Sequence, residues 1–308
     1  MEQYFEGDMP VFPQYVASDI TNRITAMLYR VGIYSRVFSR IKSKASICKK
    51  LNAKQYITHN KLMQDLIGIR ITVYFDDDVS IVMKMLRKTF DFDSETVDTV
   101  TTDVFRPTRT NMIFRIPDDI LSSNQFHKAI NDLPIDNTFE VQIRTVLSEG
   151  WHEVEHDLRY KQKKAWEGHD DYGRALNSIL ATLVSCDWSM RILFENLSHT
   201  YYMDGQWIAM CQNHLRIHLL DNEDDIQAIQ DLLNQNHSLC KYLLKVDREK
   251  LLLLYFEFFE GFPCTLKNIV YVCSYFVEDC KVSIPKLISE QIAVHKEELQ
   301  KSLNLNIE

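Results

Sequence analysis

The sequence predicts an α+β fold in its first half and an all-helical second half. Three observations carry this reading. Runs rich in β-branched and aromatic residues at 67–75 and 139–143 alternate with helical periodicity, the pattern changes after Thr145, and from Tyr172 onward only helical spacing is found. At 308 residues, 45% of them hydrophobic, the chain is long enough for two buried cores. The expected division is a helical lead-in at 1–30, a mixed-sheet domain at 31–165 and a helical domain at 172–308, with a junction between Lys161 and Gly173.

At the start of the chain, Ser18 is a candidate N-cap for a helix to Arg30 whose face carries Ile20, Ile24, Met27 and Leu28. A second helix starts near Ser43 or Ser46 and carries Ile47 and Leu51. Residues 67–75 read as a central strand that Asp76, Asp77 and Asp78 end, and Val79, Val82, Met83, Leu86 and Phe90 then mark an amphipathic helix. Strands are expected at 95–104, 111–116 and 139–143, with a helix at 124–130, and one long helix at 146–164. Interleaved helices and strands imply one sheet with helices packed on it. The last helix is expected at 284–302.

Composition excludes several classes. The N-terminus lacks a basic region followed by an apolar one, and no apolar run is long enough to span a bilayer, so a cytoplasmic protein without membrane attachment is expected. Seven cysteines without a CxxC pair fit reduced, mostly buried thiols better than a disulfide frame or zinc site. The net charge of −8 is unevenly spread: no Asp or Glu occurs from Ile20 to Gln64, a window holding Arg23, Arg30, Arg36, Arg40, Lys42, Lys44, Lys49, Lys50, Lys54 and Lys61. Such a window is either a solvated basic face or a polyanion pocket.

The pocket reading gains from the residues in and beyond this window. Arg40, Lys42, Ser46 and Lys50 bracket a helix start, where free backbone N–H groups favour phosphate. The acids resume at Asp65, and a second acid, Glu140, lies on another strand, where alternation projects Glu140, Gln142 and Arg144 together. Arg70 and Arg144 come after the two acids at short intervals. Mg²⁺ takes one or two carboxylates plus phosphate oxygens, so Asp65 and Glu140 suffice if they converge, or one holds the metal while the other takes a proton. Both acids pairing only with nearby arginines is the bland alternative.

Four segments in order carry a resemblance: Arg40 to Leu51, Asp65-Leu66-Ile67-Gly68-Ile69-Arg70-Ile71, Glu140-Val141-Gln142-Ile143-Arg144-Thr145, and the helix from Trp151 to Lys161. Over roughly Val31 to Lys164 the chain resembles the synthetase domain of the RelA/SpoT family, especially its small alarmone synthetases. The resemblance implies a nucleotidyltransferase-like mixed sheet and a Mg²⁺-dependent pyrophosphokinase, moving the pyrophosphate of ATP to the 3′-hydroxyl of GDP or GTP to give (p)ppGpp, the alarmone of the stringent response. It implies that Arg40 and Arg70 flank the adenine and that Lys42, Ser46 and Lys50 contact the ATP phosphates. Asp65 would hold Mg²⁺, Glu140 would orient or deprotonate the hydroxyl and share the metal, and Gln142, Arg144, Glu155 and His156 would line the acceptor side.

One segment departs from the family. A Tyr-Arg-Ser-x-His stretch usually precedes the strand at 111–116, and its tyrosine stacks on guanine; here Asp103 to Asn111 holds neither tyrosine nor histidine. Phe105 is the candidate stacking residue, with Arg106 and Arg109 for phosphate or base. Adenosine nucleotides or the tRNA 3′ end therefore stay open as acceptors, as does a catalytically silent nucleotide-binding module. No separate hydrolase domain is expected, which likens the chain to toxin-like members of the family.

The helical half offers no catalytic pattern. His214 and His218 share a helical face without the glutamate of a zinc-protease motif, residues 251–259 read as a buried helix or an interface, and Trp188, Met203, Trp207 and Met210 as core. This half is the candidate surface for self-association.

Overall fold

The computed structural model describes residues 14–54, 61–97, 110–121, 133–278 and 280–303. The chain divides into two compact units. The first holds Met1–Ala26, Ser35–Val73 and Leu86–Val184, and the second holds Met27–Tyr34, Tyr74–Met85 and Ser185–Glu308.

The first unit is built on a mixed five-stranded sheet: β1 (Ser35–Ile41), β2 (Ile67–Val73), β3 (Phe92–Val97), β4 (Thr110–Arg115) and β5 (Thr138–Thr145). The strand order is β1-β2-β5-β4-β3, with only β2 and β5 parallel among neighbours. Alternation splits the sheet into two faces. Ile67, Ile69 and Ile71 of β2, Phe139, Val141 and Ile143 of β5, and Met112 and Phe114 of β4 are buried on one of them. There Phe90 packs edge-on against Phe139, which stacks on Phe114, a close-packed aromatic cluster that fixes the sheet's position.

Helix α1 (Gln14–Arg30) starts before Ser18, because Val16 and Ala17 extend its buried stripe; Ser18 therefore lies inside the helix and does not cap it. Helix α2 (Lys44–Lys54) begins after Ser43, whose Oγ accepts from the Ser46 N–H at 3.3 Å, and it buries Ile47 and Leu51. Strand β2 ends two residues earlier than expected. Strand β3 begins three residues earlier, and the rest of the expected strand at 98–104, like the expected helix at 124–130, lies outside the described residues.

After α3 (Asp78–Thr89) and a single turn, α4 (Asp118–Leu121), the chain passes from β5 directly into α5 (Val146–Val154). A capping box makes this junction: Thr145 Oγ1 accepts from the Ser148 N–H at 3.2 Å, and Ser148 Oγ accepts from the Thr145 N–H at 3.1 Å. The expected single helix at 146–164 is broken. Residues Glu155–Tyr160 form a π-helical turn, in which the Lys161 N–H reaches the His156 carbonyl at 3.1 Å, and Lys163–Trp166 form a 3₁₀ turn. π-turns widen a helix locally and recur at functional sites.

The boundary between the units falls within α6 (Asp170–Met203). The second unit continues with α7 (Trp207–Leu215), α8 (Glu223–Asn234), α9 (His237–Lys245), α10 (Arg248–Phe258), α11 (Leu266–Ser274), α12 (Lys286–Val294) and α13 (Lys296–Leu303). Residues 251–259 form most of α10, with Leu251, Leu252, Leu254 and Tyr255 buried, so the stretch is a core helix. The expected last helix is two, parted at His295. Trp207 and Met210 are core, whereas Trp188 and Met203 are exposed on α6, contrary to expectation. Helical spacing alone could not say which face of so long a helix is covered.

Each of the three successive aspartates has an arginine partner in the second unit. Arg191 pairs with Asp76 at 3.1 Å, Arg216 with Asp77 at 2.5 Å, and Arg248 with Asp77 at 3.1 Å and Asp78 at 2.6 Å. Gly32, at φ +73°, receives the His218 N–H on its carbonyl at 2.7 Å, and an added Cβ would lie 2.7 Å from the His218 carbonyl, so only glycine fits. His214 is half-buried, with Nε2 2.9 Å from the Val246 carbonyl. All seven cysteines are free, and Cys211, Cys240, Cys264 and Cys273 are buried. Among the described residues no helix is long and apolar enough to cross a membrane.

Candidate active site

The second face of the sheet carries the candidate chemistry. Residues paired across strands share a face, and the register sets Arg40 of β1 opposite Gly68 of β2, which lies opposite Glu140 of β5. Phe38 lies opposite Arg70, which lies opposite Gln142, itself opposite Asn111 of β4. Thr72 lies opposite Arg144. Three arginines, one carboxylate and two amides are thereby ordered by backbone pairing alone, before any side chain adjusts.

Side-chain hydrogen bonds refine the order. Glu140 accepts from Asn111 Nδ2 at 3.0 Å and from Gln142 Nε2 at 3.2 Å, so two neutral amides hold both its oxygens. Helix α5, started at Thr145 by the capping box, returns Glu149 and Glu153 to the sheet. Arg70 donates to Glu149 at 2.8 Å and also pairs with Glu153; Arg144 donates to the other Glu149 oxygen at 3.1 Å and to Gln142 at 3.3 Å. Burial presses the Arg144 guanidinium below its ordinary range, with Glu149 opposing and the neighbouring Arg70 charge reinforcing the shift.

Asp65 sits in a different electrostatic setting. Its Oδ2 accepts from Lys42 Nζ at 2.8 Å and Lys50 Nζ at 2.5 Å, and its backbone carbonyl takes a further bond from Lys42 at 3.2 Å. Burial raises the Asp65 pKa, but the hydrogen bonds from Lys42 and Lys50 outweigh it and hold the carboxyl below the ordinary aspartate value. Asp65 Oδ1 is buried without a hydrogen-bond partner among the described residues. Ser46 stands in the exposed first turn of α2, bonded to Ser43 Oγ at 2.9 Å.

Two cavities lie against this face. One, of about 160 Å³, is lined by Arg40, Arg70, Asn111, Gln142, Arg144, His152, Glu153, Glu155, His156 and Tyr160. The other, of about 130 Å³, is lined by Phe38, Ser39, Arg40, Gly68, Ile69, Arg70, Glu140, Gln142 and Glu149. Arg40, Arg70 and Gln142 line both. Glu155 and His156 enter from the π-turn, with Glu155 bridged to Arg159 at 3.1 Å and the His156 ring stacked on Tyr160 at 5.8 Å. Of the residues singled out in the sequence, Arg40, Arg70, Glu140, Gln142, Arg144, Glu155 and His156 thus surround adjoining cavities, and Lys42, Lys50 and Asp65 form a separate cluster. Phe105, Arg106 and Arg109 lie outside the described residues.

The residues that sequence reasoning overlooked are Glu149, Glu153, Asn111, His152 and Tyr160. A signal for the first two was present: they are four apart, on one face of the helix expected from Val146.

Among the described residues no group of three or more His, Cys, Asp or Glu side chains could hold a metal. Mg²⁺ does not need such a cage, because it retains waters and takes one or two carboxylates with substrate phosphates. Asp65 Oδ1, buried and without a hydrogen-bond partner among the described residues, is a carboxylate oxygen of the kind it takes.

Comparison with known proteins bears on the same segment. Residues 39–165 match the family described as the region found in RelA / SpoT proteins. The chain is 31% identical over 128 residues to the GTP pyrophosphokinase YjbM of Bacillus subtilis (strain 168), a stretch that is 41% of this chain and 56% of that protein. The chain thus spans little more than half the length of this curated relative. Among solved structures, smu.1046c from Streptococcus mutans UA159 is 25% identical with a TM-score of 0.46, covering 58% of this chain and 90% of that one. The small alarmone synthetase 1 of Bacillus subtilis is 24% identical with a TM-score of 0.45, covering 58% and 91%. Residues 39–165 of this chain are thus similar in sequence to the region found in RelA / SpoT proteins.

Proposed function

We propose that the chain is an ATP-dependent nucleotide 3′-pyrophosphokinase, with GDP or GTP as acceptor. The observation that carries this reading is the ordered sheet face, where two arginines and the amide-held Glu140 meet two cavities, within the segment related to a GTP pyrophosphokinase.

In this reading Arg40 and Arg70 flank the adenine of ATP, while Lys42, Ser46 and Lys50 contact its phosphates. Lysine acts here as a point charge and arginine as a planar group able to lie against a base. The acceptor occupies the side lined by Gln142, Arg144, Glu155 and His156, with Phe105, Arg106 and Arg109 proposed to complete it. Glu140 takes the proton of the acceptor 3′-hydroxyl as its oxygen bonds to the β-phosphorus, the bond to the α,β-bridging oxygen breaks, and AMP leaves. Asn111 and Gln142 hold the Glu140 carboxylate in place for this transfer. Mg²⁺, when bound, would be held by Asp65 and would supply charge neutralisation on the phosphates, while Glu140, with both oxygens held by amides, serves the proton.

The test is incubation with Mg²⁺ and γ-labelled ATP, with GDP, GTP, ADP, ATP or deacylated tRNA added separately. Label in GDP or GTP with matching AMP supports the proposal. Label in an adenosine nucleotide or tRNA keeps the reaction and changes the acceptor, and ATP binding without transfer to any of them refutes the enzyme reading.

A further inference from the structure

Phe38 is a large apolar side chain that the fold leaves 58% exposed. Isolated exposed apolar residues are common and usually need no explanation. This one differs in its surroundings. It stands on the site face of the edge strand β1, directly opposite Arg70, and lines the cavity of about 130 Å³ with Arg40, Gly68 and Gln142. Gly68 lies between Arg40 and Glu140 in the register, so that row of the sheet has no side chain rising from its middle position. An aromatic ring, two guanidinium groups and a glycine with only the Arg40 stem near its side-chain position line this cavity, the chemistry that receives a nucleobase without reading its sequence-specific edges.

We propose that Phe38 is a base-stacking residue for the donor nucleotide, and that Gly68 is the floor that lets the base lie flat. This rests on the reading of the Arg40 and Arg70 side as the donor site, and it adds a wall and a floor to the two arginines. Stacking on Phe38 contributes binding that a phosphate chain alone does not receive, so the cavity separates nucleotides from inorganic polyphosphates. Purines, with the larger π-face, gain more from it than pyrimidines.

The experiment is calorimetric binding of ATP and of inorganic tripolyphosphate, each with Mg²⁺, to the full chain and to Phe38→Ala, Phe38→Trp and Gly68→Ala. Phe38→Ala is expected to weaken ATP about tenfold, as loss of one aromatic stack does, and to leave tripolyphosphate unchanged; Phe38→Trp retains ATP. At Gly68 an added Cβ would meet Arg40 Cγ at 3.9 Å, an ordinary contact, so Gly68→Ala is expected to fold and to weaken ATP selectively by filling the floor. Unchanged ATP affinity in Phe38→Ala overturns the proposal, as does equal loss of both ligands or a change of oligomeric state without a change in ATP binding. Wild-type protein that binds neither ligand removes the donor site altogether. Selective loss of ATP in a protein that transfers no pyrophosphate leaves the base site standing and refutes the pyrophosphokinase reading alone.

Discussion

Glu149 bridges Arg70 and Arg144, with one carboxylate oxygen 2.8 Å from the first guanidinium and the other 3.1 Å from the second. The two arginines come from the parallel strands β2 and β5, and the glutamate from the helix that follows β5. A single helical side chain thereby sets the spacing of two cations on the sheet. Glu149→Gln leaves one acceptor oxygen for two donors. Hydrogen bonds to charged groups are worth about 1.5–3 kcal/mol, so kcat/KM for pyrophosphate transfer is expected to fall roughly ten- to a hundredfold. Steady-state kinetics on a variant with an unchanged circular dichroism spectrum is the check; full activity would show that the bridge is dispensable.

Glu140 is the proposed base, and removing its charge tests that directly. Glu140→Gln keeps the shape of the side chain among Asn111 and Gln142, and is expected to reduce AMP release by about 10²–10⁴, the usual range for general base catalysis. ATP binding should persist, which equilibrium dialysis can show. Near-normal turnover would assign the proton to another group.

Asp65→Asn should act through the lysines. With its charge gone, Lys42 and Lys50 lose their charged common partner and keep only weaker neutral hydrogen bonds, the dependence on Mg²⁺ concentration should shift upward, and turnover should fall roughly tenfold, about 1.4 kcal/mol in the barrier. A Mg²⁺ titration of activity reads both effects, and an unchanged midpoint would remove Asp65 from the metal site.

His214 gives the helical unit a dependence on pH. Burial depresses its pKa from the ordinary 6.5, the Val246 carbonyl opposes, and the nearby Arg216 and Arg248 charges add to the depression. A histidine whose folded pKa lies below its unfolded one takes up its proton on unfolding, so its stabilising contribution is complete above 6.5 and is lost as pH falls from there through the folded pKa. Thermal unfolding followed between pH 7.5 and 5 should therefore show a declining midpoint, and His214→Gln should flatten the decline. Parallel curves for the two proteins would contradict this assignment.

The Thr145 cap should be visible in stability. Thr145→Ala removes one half of the capping box at the start of α5 and is expected to cost about 1 kcal/mol, read as a lower midpoint in urea unfolding. Because α5 carries Glu149, a modest loss of activity should accompany it.

Much of the candidate site was legible in the sequence, because strand alternation alone places Glu140, Gln142 and Arg144 on one face and charge segregation marks the basic window before Asp65. What sequence could not supply was pairing. Nothing local says that β2 lies beside β5, so the alignment of Gly68 with Glu140 and of Arg70 with Gln142 had to come from the fold. The helix at 146–164 was overextended for a related reason: a π-turn keeps helical composition while changing the backbone hydrogen bonds, and periodicity does not register it. Trp188 and Met203 were placed in the core because apolar character was read as burial, a rule that runs in only one direction.

The parallel pairing of β2 with β5 has a consequence for the life of the chain. Arg70 and Gln142, neighbours in the sheet, are some 70 residues apart in sequence, and closing so long a loop costs about 4 kcal/mol of chain entropy beyond a constant. Contacts of such long range form slowly during folding. A growing chain that has not yet emerged past β5 has the basic window and Asp65 but lacks Glu140, so the candidate site is assembled only when synthesis has passed the end of the sheet.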